Sequence, residues 1–162
     1  MEQPYKSVAV DLPQGILWGV MDWPRDRIIE AQAIEARTRL ITERAPEIFE
    51  SLWAEVKGLV EKAKKESLSI LTNGSPEDRV LWLPVSPAQH QSVSHAKELH
   101  IRIAKDKRSI TASGSGVDIR LEFDICDDGV VCLKSGGDQI SVQDAGIKIL
   151  DWFVFPGLPR KY

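Results

Sequence analysis

The chain has 162 residues, 43% apolar and 28% charged, which suits one domain with an appendage and excludes a disordered or low-complexity polymer. Its net charge of -3, from 21 basic and 24 acidic residues, is too balanced for a nucleic-acid or membrane-surface protein. No run approaches the roughly 18 apolar residues of a transmembrane helix. The N-terminus also lacks a basic start with a clean apolar core, so no secretory signal is expected.

Residues 1–24 are punctuated by Pro4, Pro13, Gly15, Gly19 and Pro24, yet they carry Val8, Val10, Ile16, Leu17, Trp18, Val20 and Trp23. Water penalises that much apolar surface at about 25 cal/mol per Å², so the segment is expected to pack on something. The runs 8–12 and 16–21 are each compatible with a strand. A helix is predicted after Asp22, a good cap, with Pro24 near the first helical position. It reaches about Arg44, Pro46 interrupts it, and a second stretch runs to about Glu66.

The second stretch is strongly amphipathic. Ile48, Phe49, Leu52, Trp53, Val56, Leu59, Val60 and Ala63 share one arc about 140° wide at 100° per residue. In the first stretch Ile29, Ala33, Ala36 and Leu40 form a stripe of their own. If the helix continues through Pro46, then Ile34, Ile41, Ile48, Leu52 and Leu59 align, and the 29/33/36/40 stripe needs separate cover. If the chain reverses there, the two stretches pack as a hairpin. Proline permits both, and the lack of glycine or loop residues around 45–46 favours a continuing, kinked helix.

After Glu66 the period changes from 3.6 to 2. Leu68, Ile70 and Thr72 read as a short strand, 73–78 as a turn, and Val80–Val85 as a strand containing Trp82. Residues 86–97 hold no acidic side chain but include His90 and His95. A meander follows. Leu99, Ile101 and Ile103, then Ile110 and Ala112, then Val117, Ile119, Leu121, Phe123 and Ile125 alternate with polar residues. Val131 and Leu133 complete the apolar face, and Ile140 with Val142 suggests one more short strand. The turns are 105–108, 114–116 and 127–129. Ser141 and Asp144 resemble a capping box ahead of a last helix that Pro156 stops.

The predicted fold is therefore α+β. A kinked N-terminal helix or helix pair covers an antiparallel meander of about four to six strands, and a C-terminal helix closes the layer. The expected division is an irregular segment, 1–24, and one domain, 25–162, helical over 25–66, sheet over 68–142 and helical again over 142–155.

Chemistry-bearing patterns are sparse. Cys126 and Cys132 flank a turn in which Gly129 takes the left-handed position, pairing Cys126 with Val130 and Cys132 with Asp124. On a flat sheet that diagonal spans roughly 7–8 Å, beyond the usual disulfide reach, so free thiols in a reducing cytoplasm are expected. His90, His95 and His100 repeat every five residues, which fits no metal-ligand spacing on a helix or strand. A nucleophile assembled from Ser92, Ser94 or Ser113 with His95 or His100 lacks a nucleophile elbow. Ser113–Gly116 lies between strands and reads as a hairpin turn rather than a phosphate loop. No catalytic, cofactor or metal residue is assigned.

Residues 109–151 carry eight acidic and three basic side chains, an excess that reads as a solvated sheet face or a surface for a basic partner. Among the five tryptophans, Trp53 and Trp82 are assigned to the core and Trp152 to its margin, on the flank of its helix, whereas Trp18 and Trp23 are hard to bury locally. Two functions are carried forward. One is a non-enzymatic protein–protein interaction module (adaptor, inhibitor, immunity-type or assembly protein) acting through Trp18, Trp23, Ile29, Ala33, Ala36 and Leu40, self-association included. The other is a small enzyme or ligand binder using His90, His95 or His100 as an acid–base group. The expected partner is a protein or a second copy, with neither nucleic acid nor membrane, and the expected location is cytoplasmic.

Overall fold

The structure is a computed structural model and describes residues 22–84 and 96–161. The chain divides into two units, Met1–Arg39 and Leu40–Tyr162. The predicted strands at 8–12 and 16–21 lie outside the described residues.

Helix α1 runs unbroken over Trp23–Lys65, with Pro46 inside it. The continuing helix is thus the observed outcome at Pro46, and no hairpin forms there. Asp22 opens it: its carbonyl accepts the first helical bond, from the Asp26 N–H at 2.8 Å. The C-terminus is a Schellman closure. The Leu68 N–H bonds the Ala63 carbonyl and the Ser67 N–H bonds the Lys64 carbonyl, both at 3.0 Å. Ser67 supplies the left-handed residue, at φ 68°, that glycine usually provides.

Among the described residues seven strands follow: β1 (Leu71–Gly74), β2 (Asp78–Pro84), β3 (Ala96–Ile103), β4 (Ser109–Gly114), β5 (Val117–Ile125), β6 (Val131–Ser135) and β7 (Asp138–Ile140). They pair antiparallel in sequence order, a pure meander. The count is slightly above the expected four to six, and both edge strands are short, at 4 and 3 residues. Helix α2 (Val142–Val154) closes the chain. The Ser141 hydroxyl caps it, accepting the Asp144 N–H at 3.0 Å as the S-x-x-D pattern implies.

Register sets the two faces of the sheet. Leu81 opposes Leu99, Ile101 opposes Ala112, Ile110 opposes Leu121, and Phe123 opposes Leu133, all buried. Ile41, Ala45, Phe49, Leu52, Trp53, Val56 and Val60 of α1 and Ala145, Ile149, Leu150 and Phe153 of α2 join them in one core. The predicted arc is reproduced, with Ile48, Leu59 and Ala63 half-buried at its margins. Arg79 projects to this inner side beside Phe49 and Trp53, 5.8 and 5.7 Å from their rings, and pairs with Glu50. Its stem and guanidinium plane cover aromatic surface that water would otherwise reach.

The β4–β5 turn shows why the glycine-rich tetrapeptide is structural. Ser115 and Gly116 both have positive φ, 51° and 83°, as a tight two-residue hairpin requires. At Gly114 a Cβ would collide with the Glu98 carbonyl oxygen of β3. The Ser115 hydroxyl then bridges to the Glu98 N–H at 3.0 Å and carbonyl at 3.1 Å, extending the ladder by one side chain.

Candidate functional site

The first unit exposes large apolar side chains. Trp23 is 64% exposed, Ile28 57%, and Ile29 and Ile34 56% each. Ala33 and Ala36 are exposed too, and no residue from Trp23 to Arg39 is buried. Leu40, which opens the second unit, is half-buried and packs on that unit's core. Trp18 lies outside the described residues. Along residues 22–39, Arg27 pairs with Glu30 at 2.5 Å and Arg39 with Glu35 at 3.3 Å. Such pairs stabilise a helix by only about 0.3–0.5 kcal/mol each. Four large apolar groups thus stay exposed on this segment.

His90 and His95 lie outside the described residues, and His100 stands on the outer face of β3. Its Nδ1 is 3.0 Å from Asp78 Oδ1 on β2, and its Nε2 is 2.9 Å from Glu98 Oε1. Arg102 Nη2 lies 3.1 Å from the same Nδ1, and its Nε is 3.2 Å from Asp78 Oδ1. Burial raises the Asp78 pKa, but hydrogen bonds from His100 and Arg102 and their charges outweigh it and hold the carboxyl below its usual range.

Ser113 opposes His100 in the register, but the imidazole Nε2 is directed at Glu98, so no Ser–His relay is assembled. Opposite ring nitrogens engage the two carboxylates, so the acids do not converge on one point. Among the described residues no three His, Cys, Asp or Glu side chains are placed to hold a metal ion.

The acidic excess of 109–151 is partly neutralised on the outer face. Lys134 pairs with Asp124 at 2.8 Å, and Arg120 lies 3.5 Å from Glu122. The tryptophan assignment needs one correction. Trp53 is core, but Trp82 faces outward at 38% exposure, opposite Leu71 and Glu98. Strand parity causes this, since Leu81 and Leu83 take the inward positions on either side of it. Trp152 is half-buried, with Lys148 and Arg160 at 5.0 and 4.2 Å from its ring.

The cysteines also differ from expectation. Cys126 and Cys132 form a disulfide, with Cα atoms 6.1 Å apart. The register is the expected one: Cys132 opposes Asp124, and the Cys126 N–H bonds the Val130 carbonyl at 2.9 Å. The flat-sheet diagonal overestimated the gap, because hairpin twist brings one pair of diagonal positions together.

No family model, curated protein or solved structure matches the chain. Among the described residues no helix is long and apolar enough to cross a membrane.

Proposed function

We propose that this chain is a protein–protein interaction module, of the adaptor, inhibitor, immunity or assembly kind, that docks through helical residues 22–39. The carrying observation is the exposure of Trp23, Ile28, Ile29 and Ile34 on a segment with no buried residue. Exposed apolar surface of that density is characteristic of a docking element.

The partner is a second copy of the chain. Residues 22–30 hold three acidic and two basic side chains, and residues 31–39 hold one acidic and two basic. An antiparallel copy sets the acidic half of each helix against the basic half of the other, which supplies register as well as attraction. Compartment is part of the proposal. The bonded Cys126–Cys132 pair favours an oxidising compartment over the reducing cytoplasm that free thiols would suit.

The test is light scattering across a range of protein concentrations, on wild type and on Ile29→Glu/Ala33→Glu. Both positions are exposed, so circular dichroism is expected to stay unchanged. Leu40 is left intact because it packs on the second unit. Wild type is expected to reach twice the chain mass and the double variant to remain at one. A wild type that stays at one mass at every concentration, or a folded double variant that associates equally well, refutes the proposal.

A further inference from the structure

Within the second unit the last turns of α1 and α2 line an open pocket of about 260 Å³. Its walls include Leu59, Leu68, Ile70, Leu150 and Phe155, and among the described residues the one charged or polar side chain lining it is Asp151. An apolar space of about 150 Å³ is large enough to accept benzene. The present one therefore has room for a ring of that size and a short tail.

The Asp151 carboxylate has no ion pair and no side-chain hydrogen bond among the described residues. It stands in the last turn of α2, which carries no basic residue. A helix C-terminus adds partial negative charge of its own. Apolar walls and a carboxylate that makes no ion pair at one site select a ligand with both complements.

We propose that this cavity is a binding site for a small amine whose apolar body is about the size of a benzene ring. The ring fills the space between Leu59, Ile70 and Leu150, and the ammonium pairs with Asp151 across a linker of two or three atoms. An organic acid of the same shape brings two carboxylates together and is rejected. The site is independent of the helical segment 22–39 and stands whether or not the chain self-associates.

The experiment titrates isotopically labelled full-length protein with 2-phenylethylamine and, separately, with 3-phenylpropanoate, following backbone amide shifts. The amine is expected to move resonances of residues 59–70 and 147–155 saturably and to bind at least fivefold tighter than the acid. Asp151→Asn is expected to abolish that preference while leaving the cavity's shape. Ala63→Leu, which fills the cavity, is expected to abolish binding of both. Equal affinity for the two probes, no saturable shifts at the cavity, an amine preference that survives Asp151→Asn, or binding that survives Ala63→Leu overturns the proposal. The comparison of amine with acid on wild type holds even if the Ala63→Leu variant fails to fold.

Discussion

Replacing both cysteines with serine isolates the contribution of the Cys126–Cys132 bridge. The cysteines are 6 residues apart, at the mouth of the β5–β6 hairpin. Cross-linking a loop that short removes about 7 cal/mol/K from the unfolded chain, or about 2 kcal/mol at room temperature. The native hairpin loses little, because its closing bonds are not made by sulfur. The Cys126 N–H still meets the Val130 carbonyl at 2.9 Å, and the Gly129 N–H still meets the Cys126 carbonyl at 2.8 Å. Cys126→Ser/Cys132→Ser is therefore expected to keep the wild-type circular dichroism and to unfold in urea with a stability lower by about 2 kcal/mol. Wild type treated with reductant is expected to fall to the same value, and the double variant to ignore reductant. Thiol titration of oxidatively purified, denatured wild type is expected to find no free sulfhydryl. Two free thiols in that assay, or a serine variant as stable as wild type, refutes the reasoning and returns the pair to the reduced state first expected.

The remaining predictions concern the core and the outer face. Gly146 is buried in α2, where an added Cβ would meet Glu55 Cβ and Leu59 Cδ1 at 3.5 Å, an ordinary contact. Interior helical glycine costs about 1 kcal/mol relative to alanine, so Gly146→Ala is expected to raise the urea-unfolding stability by about that amount. A loss instead contradicts the spacing between α1 and α2. Asp78 is held below the usual carboxylate range, so its stabilising effect is present above its unfolded value near 3.8 and is lost as pH falls through the lower folded value. Asp78→Asn is accordingly expected to be less stable than wild type at pH 6, with the gap closing towards pH 3. A gap that widens on acidification removes the assigned ion pairing with His100 and Arg102.

Periodicity made most of the second unit readable. The alternation from Val117 to Ile125 specified β5 and its buried face, and the arc from Phe49 to Val60 specified the covering face of α1. Asp22 and Ser141 marked both helix starts, and Gly129 marked a turn and its register. What periodicity does not contain is the identity of the neighbour across a strand. The Asp78–His100–Glu98–Arg102 cluster needs the β2–β3 register, in which Val80 opposes His100 and Asp78 opposes Arg102. The outward position of Trp82 needs the parity of β2, which a short run with two prolines nearby did not fix. The disulfide turned on a difference of about an ångström between a flat and a twisted diagonal. The cavity beside Asp151 arises where the ends of α1 and α2 meet, two segments far apart in sequence. The Ile29, Ala33, Ala36 and Leu40 stripe was legible as a surface in need of its own cover, but the exposure of Trp23 and Ile29 is read only from the structure.

Concentration-dependent amide hydrogen exchange tests the central claim most directly, because it reads the helical segment itself. If residues 23–39 form the contact between two copies, their protection rises with protein concentration while that of β3–β6 stays constant. Protection over 23–39 that is the same in dilute and concentrated samples contradicts the claim and leaves those side chains without a second copy to cover them.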